Sequence, residues 1–449
     1  MPIFASAGGS SSSRCARCRP RRWFSGRSSR CRSRIEEEHQ MPKTEEKYIV
    51  ALDIGTSKVC VLVGEITERN QLEIIGKGTA PMKGTRRGNI INLDQAIDAV
   101  KKAVDEAEVM AGLQIESVYV GVAGDHIRSV NSRGVVSVGG KHKEISREDI
   151  DRVIEASKSI NIPAELELLH VIPREFIVDG QDGIHDPLGM TAARLEANVH
   201  IVTGARTHNQ NVLTAVNKSG IAVQELVLEQ LAAAEAVLTQ DEREMGVLLM
   251  DLGAGTTDYA VFLEGNVIHT NVLPVGAGHF TSDISVVLRT PMEDAERIKK
   301  RYGCALASLV TNDDPIEVPT VGGRAPKILS KHELTNILEP RAAEIAKLVY
   351  HDLEKVGLEK EIRSGVVLVG GGAEMDGMVE MVEQVFDQQA RKGVPRGLAG
   401  LADTVNGPEW AAATGLLLWG FRDRARIRRR PRRGLAKVAE SLKAWFAAN

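Results

Sequence analysis

From Tyr48 onward, short apolar runs alternate with turn-forming clusters, and one such pattern occurs twice. In the first copy, Tyr48-Ile49-Val50-Ala51-Leu52 ends in Asp53-Ile54-Gly55-Thr56-Ser57; Val59, Val61 and Val63 then alternate with other residues up to a polar turn at 68–71. In the second, Val247-Leu248-Leu249-Met250 runs into Asp251-Leu252-Gly253-Ala254-Gly255-Thr256-Thr257-Asp258, followed by an alternating stretch over 259–263, the turn Glu264-Gly265-Asn266, and Val267-Ile268. Period-two alternation bounded by Gly and Asp predicts strand, turn, strand, hairpin, strand in both places. Each copy later has a second apolar run ending in glycine, Val118-Tyr119-Val120-Gly121-Val122-Ala123-Gly124 and Val366-Val367-Leu368-Val369-Gly370-Gly371-Gly372. Two related halves with parallel strands and helical crossovers follow, a duplicated α/β fold. Residues 125–203 and 279–345 read as insertions that elaborate the two halves.

The two ends of the chain have a different character. Residues 1–40 are rich in Ser, Arg and Gly, with nine Arg against three Glu and no apolar period. They lack the apolar core of a secretory signal. Disorder is the expectation there, either as a real extension or as a stretch preceding a true initiator at Met41. At the other end, residues 422–433 read as a flexible basic linker broken by Pro431, and Gly434 opens a segment with apolar residues at Leu435, Val438, Ala439, Leu442, Trp445 and Phe446. At ~100° per residue these fall within about 120° of arc, with Lys437, Glu440, Ser441 and Lys443 on the remainder. That composition suits an interfacial helix on an anionic membrane surface, with a protein-docking helix as the alternative. The net charge of −3 conceals this segregation: residues 1–40 carry +6 and residues 422–443 carry +8, which leaves −17 on the body. An acidic body argues against nucleic acid as a partner. No apolar run reaches the ~20 residues of a membrane span. The five cysteines form neither a disulfide framework nor a paired metal motif, which fits a reducing cytoplasm.

Neither a GxxxxGK[ST] loop nor a GxGxxG fingerprint occurs. What occurs instead is a paired grip for phosphate. A tight turn after a strand presents backbone N–H groups, glycine lets that backbone approach phosphate oxygens, and hydroxyls add donors. The candidates are Asp53, Gly55, Thr56 and Ser57 in one turn, and Asp251, Gly253, Gly255, Thr256 and Thr257 in the other. Asp53 and Asp251 are placed to hold Mg²⁺ largely through water. Gly370, Gly371 and Gly372 offer bare backbone for an adenosine. One Asp-x-Gly-x-Thr turn is ordinary hairpin chemistry; two of them, 198 residues apart in the same strand context, point to a nucleotide.

These residues resemble the actin-like ATPase superfamily, whose phosphate-one, phosphate-two and adenosine motifs correspond to residues 53–57, 251–258 and 367–374. Its connecting helices look like residues 229–234 and 408–415, where small side chains either let two backbones cross closely or are simply good helix formers. Within that superfamily, residues 48–449 resemble the FtsA family, bacterial division proteins that tie FtsZ filaments to the membrane. The stretches carrying this likeness include His170-Val171-Ile172-Pro173-Arg174-Glu175, Asp241-Glu242-Arg243-Glu244, Tyr302-Gly303-Cys304-Ala305-Leu306, Val321-Gly322-Gly323-Arg324 and Leu338-Glu339-Pro340-Arg341.

The resemblance implies subdomain 1A over 41–124 and 204–240, 1C over 125–203, 2A over 241–278 and 346–405, and 2B over 279–345. A return helix at 406–421, the linker and a membrane-targeting helix at 434–449 would follow. It also implies ATP with Mg²⁺, head-to-tail polymerisation with 1C in the subunit contact, and later division proteins on 1C. The acidic-apolar C-terminal peptide of FtsZ would dock on 2B, with Arg341 and then Lys327 as contacts, at the cytoplasmic face of the inner membrane. Glu296 and Lys299 would contact ribose or adenine, unless they belong to an ordinary exposed helix. Glu229 is either a solvated or capping residue or the carboxylate that positions water for hydrolysis, and fast turnover is not expected. A metabolic kinase of the same superfamily and a pilus-assembly relative remain as alternatives.

Overall fold

The computed structural model describes residues 47–139, 142–322 and 325–429, with side chains as far as residue 425. The chain opens with β1 (Tyr48–Ile54), β2 (Lys58–Ile66), β3 (Leu72–Pro81), the small ribbon β4 (Thr85–Arg86) and β5 (Asn89–Ile90), α1 (Leu93–Ala111) and β6 (Ser117–Val122). An inserted module follows: β7 (Arg128–Ser137), α2 (Arg147–Ser157), β8 (Leu166–Val178), β9 (Gln181–Ile184) and β10 (Arg194–Ala205). Next come α3 (Arg206–Lys218), β11 (Ala222–Leu228), α4 (Glu229–Val237) and α5 (Gln240–Met245). The second half contains β12 (Val247–Leu252), β13 (Thr257–Leu263), β14 (Asn266–Leu273), α6 (Gly278–Leu288), α7 (Met292–Tyr302), β15 (Pro315–Val318), β16 (Lys327–Ser330), α8 (Lys331–Val356), β17 (Val366–Val369), α9 (Met378–Phe386) and β18 (Ala390–Lys392). Finally β19 (Ala399–Gly400) returns to the first sheet and α10 (Ala411–Arg429) follows.

The duplication is visible in the strand order. One sheet runs β11-β6-β1-β2-β3-β19, the other β18-β17-β12-β13-β14. In each, the central strand lies antiparallel to the next one in the chain and parallel to the strand that follows a crossover. β1 and β12 are apolar almost throughout because a strand covered on both faces must be, and Ile49, Leu52, Leu248 and Leu249 are fully buried. Asp53 and Asp251 therefore occupy equivalent ends of equivalent strands. This is the actin-like ATPase fold with a module inserted in the first half.

Helices cover the sheets through complementary stripes. In α1, Ala96, Val100, Ala103 and Ala107 face the first sheet, the helix starts on an Asn92 cap and stops at a left-handed Gly112. The other face is covered by Trp410, just before α10, and by Ala413, Leu416 and Leu417 of α10. Helices α4 and α10 cross at backbone contact, since a Cβ on Gly415 would lie 1.8 Å from the Ala232 carbonyl oxygen. The small residues on both helices are thus there for close approach. In the second half, α8 presents Leu334, Leu338, Ala342, Ile345, Ala346, Val349 and Leu353 as one buried stripe.

That stripe corrects one expectation. The border placed between residues 345 and 346 falls inside α8, which continues because its apolar period continues. The linker placed at 422 is likewise still helix as far as Arg429. There Arg422 pairs with Glu235 of α4 and the Tyr119 hydroxyl donates to Asp423 at 3.2 Å. The 1–40 extension, Gly323, Arg324 and the segment carrying Leu435, Val438, Leu442, Trp445 and Phe446 lie outside the described residues. Among the described residues no helix is long and apolar enough to cross a membrane.

The two insertions are built differently. The first has its own sheet, ordered β7-β10-β8-β9, and its own core around Val153, Phe176, Leu195, Val199 and Ile201. The second, with α6, α7 and the β15–β16 ribbon, shares the core of the second sheet through Phe280, Ile284, Ile298 and Ile316.

Candidate functional site

Both Asp turns, the glycine turn and α7 open onto one cleft of about 1020 Å³. In the first turn the Gly55 N–H donates to the Lys58 carbonyl at 3.0 Å, which closes the loop after β1. Thr85 fixes it from outside by donating to the carbonyls of Gly55 (3.2 Å) and Thr56 (3.1 Å). The second turn is held by the start of α6, where the N–H groups of Ala277 and Gly278 each donate at 2.8 Å, to Gly253 and Ala254. The two turns touch: a Cβ at Gly255 would meet the Thr56 hydroxyl at 2.6 Å. At the third turn, Gly370 has φ of +81°, and a Cβ there would lie 2.2 Å from the Asp251 carboxylate. Gly371 has nothing within 4 Å of a Cβ position, so its backbone is bare toward the cleft.

Four carboxyl groups line the floor: Asp53, Asp251, Asp258 and Glu229. Burial pushes Asp251 up to about 8, with Asp258 and Asp53 adding like-charge repulsion. Asp53 rises to about 6 through burial, opposed by the nearby Lys58. Asp258 also rises to about 6 through burial, although it accepts hydrogen bonds from Thr256 (2.6 Å) and Gln230 (3.2 Å). Glu229, the first residue of α4, is held well above the usual carboxylate range by burial and then by Asp53, Asp258 and Asp251. Such a set favours a cation, and it tolerates negative charge on a ligand only if that cation is present. Among the described residues no group of three or more His, Cys, Asp or Glu side chains is arranged to hold a metal ion directly.

Most of the sequence candidates meet here. Asp53, Gly55, Thr56, Ser57, Asp251, Gly253, Thr256, Glu229, Glu296, Lys299, Gly370, Gly371 and Gly372 all line the cleft. Glu229 is therefore not a solvated surface residue. Glu296 and Lys299 are more than an exposed helix face: Lys299 pairs with Glu296 at 2.7 Å and donates to Thr281 at 3.0 Å, and Thr281 donates to Glu296. Two candidates are displaced. Gly255 packs against the first turn, and Thr257 is fully buried with its hydroxyl donating to the Val275 carbonyl at 2.7 Å. Neither lines the cleft: Gly255, in the turn itself, is packed against Thr56 and Arg87, and Thr257 points away because successive residues of a strand point to opposite faces.

Among the charged residues of the cleft, Lys58, Lys83, Asp258, Glu293, Lys300, Glu374 and Glu409 are not among the individual candidates read from the sequence. Lys58 follows Ser57 directly and Asp258 closes the second turn, so both lay within reach of the motif itself. Lys83 and Glu409 enter only because distant segments fold over the cleft. Away from it, Arg341 is already engaged, donating to Asp283 at 2.8 and 3.1 Å and pairing with Glu344. Lys327 is exposed on β16.

Comparison with known proteins agrees with the architecture. A family model described as cell division protein FtsA matches residues 248–415, and one described as the SHS2 domain inserted in FtsA matches residues 124–203. Cell division protein FtsA of Pseudomonas aeruginosa is 43% identical over 411 residues, covering 90% of this chain and 98% of its own. That of Escherichia coli K12 is 38% identical over 414 residues, again covering 90% and 98%. Among solved structures, a PilM–PilN type IV pilus biogenesis complex matches with a TM-score of 0.61 at 17% identity, covering 83% of this chain and 98% of that one. MreB5 of Spiroplasma citri bound to ADP matches with a TM-score of 0.54 at 16% identity, covering 85% and 99%. At such identities these two show the fold alone. With the kinase and pilus-assembly readings set aside by the level and extent of the sequence identity, the chain belongs to the FtsA family of cell division proteins.

Proposed function

We propose that this chain is a membrane-tethered, ATP-binding scaffold that holds FtsZ filaments at the cytoplasmic membrane face during division and helps recruit later division proteins. The observation that carries the nucleotide part is the convergence of two equivalent Asp turns and a bare glycine turn on one cleft. Thr56, Ser57 and Thr256 with their neighbouring N–H groups suit phosphate oxygens, Gly371 suits the flat face of an adenosine, and Lys299 with Glu296 suits its ribose. The donor set fits Mg²⁺. Asp53 and Asp251 come from opposite halves, and a hard dication that keeps most of its water needs few carboxylates. Bound Mg²⁺ would supply positive charge between these carboxylates and the phosphates. Burial, with Asp53, Asp258 and Asp251 beside it, holds Glu229 well above the usual carboxylate range while no cation offsets its neighbours, which supports positioning and slow turnover rather than efficient general-base catalysis.

Calorimetry with ATP and Mg²⁺ tests the site. Gly371→Val puts a branched side chain onto the adenosine surface and should abolish measurable binding, and unchanged affinity would overturn the assignment. The other parts have separate tests. Family membership supports FtsZ docking on the second insertion. Because Arg341 is shared by two carboxylates, an acidic peptide must compete for it, so Arg341→Glu should reduce peptide binding far more than Arg341→Ala, with Lys327 as the freer contact. The apolar stripe of residues 435–446 supports the tether: Leu442→Glu should stop flotation with anionic liposomes, while Ser441→Glu should not.

A further inference from the structure

We propose that the inserted module reads the state of the cleft, so that closing the cleft and seating the module are one motion. The module is fastened at two places. Its root is part of the cleft: the Gly124 N–H donates to the Asp258 carboxylate, and Asn89 donates to Asp125 at 2.6 Å. Gly88 lies against Gly124, where a Cβ would come within 2.6 Å of the Gly124 Cα, and the Gly88 N–H donates to the Thr56 hydroxyl at 3.2 Å. Residues of both phosphate-gripping turns thus touch the point where the module begins.

The second fastening lies on β14, the edge strand of the other half. Ser129 donates to the Thr270 carbonyl at 2.8 Å and Asn131 donates to the Ile268 carbonyl at 3.2 Å. Residues two apart on β7 thus meet carbonyls two apart on β14, in opposite chain directions. Side chains complete an edge that would otherwise present unpaired acceptors. His200 of β10 locks the register. Since the Asn131 amide nitrogen is already donating, its oxygen accepts from His200 Nδ1 at 2.8 Å, and His200 Nε2 accepts from the Thr270 hydroxyl at 3.1 Å. Val202 joins the same buried cluster as Val267 and Val272. One rigid sheet is therefore bonded to the cleft floor at one end and to the second half along its side. A change in the separation of the halves must either move the module or break these bonds. By reciprocity, a protein that moves the module changes nucleotide affinity by the same factor that nucleotide changes its own binding.

This inference rests on nucleotide binding in the cleft, and hydrogen exchange on the full chain, with and without ATP and Mg²⁺, separates the two. Nucleotide should slow exchange at residues 53–58 and 251–257, and about threefold or more in β7 and β14. In Ser129→Ala/Asn131→Ala the turns should still respond while the β7 response falls to a small fraction. Slowing at the turns without any response in β7 of the wild type, or an equal β7 response in the variant, overturns the coupling and leaves nucleotide binding standing. No slowing at the turns overturns both. If the double variant is unfolded at the working temperature, Asn131→Ala alone, which removes the bond to the Ile268 carbonyl and the one to His200, makes the same comparison.

Discussion

The seam on β14 and the floor of the cleft both hold buried polar groups, and they satisfy them in opposite ways. At the seam, both ring nitrogens of His200 and both ends of the Asn131 amide have partners within the protein. On the cleft floor, no hydrogen bond reaches the carboxylates of Asp53, Asp251 or Glu229 from the described residues, and Lys58 is the nearby cation opposing the charge on Asp53. Completed networks hold a structure rigid, whereas incomplete ones store repulsion that a ligand relieves. The comparison separates residues kept for the fold from residues kept for an occupant, and it can be broken experimentally at either end.

The largest expected effect is at Asp251. Asp251→Asn keeps the shape while removing the charge, so it should raise ligand-free stability and lower the affinity for ATP with Mg²⁺ by at least about tenfold. Thermal melts and calorimetry on the same preparation check both signs. A variant that loses stability as well as affinity would show that Asp251 is structural and that the floor is not strained.

A pH series sharpens the same contrast. The folded-state values of Asp251 and Glu229 are raised, so the stability these groups contribute is present at low pH and is lost as pH rises through those values. His170 and His200 are depressed by burial to about 4, so their contribution is lost in the other direction, as pH falls from 6.5. Below about 6.5 the two sets oppose each other; between about 6.5 and 8 only the carboxyls act. Ligand-free protein should lose about 1.4 kcal/mol per pH unit for each proton released there. Saturating Mg²⁺ and nucleotide should flatten that slope, and an identical slope with ligand would mean that the carboxyls are not at the binding site.

The seam should give an intermediate effect. Asn131→Ala leaves the Ile268 carbonyl and one His200 nitrogen without partners, at a cost of about 1–3 kcal/mol in chemical denaturation. A null result would mean that water replaces the amide and that the edge of β14 does not depend on it.

What was readable beforehand follows the same division. Asp53 and Asp251 stood out because the turn motif is contiguous and repeated, and a repeat survives without knowledge of the tertiary structure. The central strands stood out because burial on both faces leaves an unbroken apolar run. Ser129, Asn131 and His200 carry no such mark: they are ordinary polar residues of strands until β14 is brought beside them. Lys83 and Glu409 are hidden for the same reason. The continuity of α8 past residue 345 is legible in its apolar period, Leu338, Ala342, Ile345, Ala346 and Val349, which the boundary read at 345 cuts across. Thr257 could have been excluded on strand alternation alone. Asp251 pairs with Asp258 and Leu252 with Thr257, so Thr257 shares a facing with Leu252 and not with its neighbours Thr256 and Asp258.

That last point gives the smallest and most discriminating prediction. Thr257 lies inside the phosphate-two motif, yet it is fully buried and its hydroxyl serves the Val275 carbonyl. Thr257→Val preserves volume and removes one hydrogen bond, which should cost about 1 kcal/mol of stability. Nucleotide affinity should stay within about twofold, because the backbone of the turn is held independently by Ala277 and Gly278 donating to Gly253 and Ala254. Thr256→Val, one residue earlier, removes a hydroxyl that lines the cleft and donates to Asp258. Its affinity should fall by a larger factor for a similar loss of stability. If both variants weaken binding equally, the turn responds as one unit to any disturbance, and the distinction between its cleft-facing and core-facing residues has no energetic content.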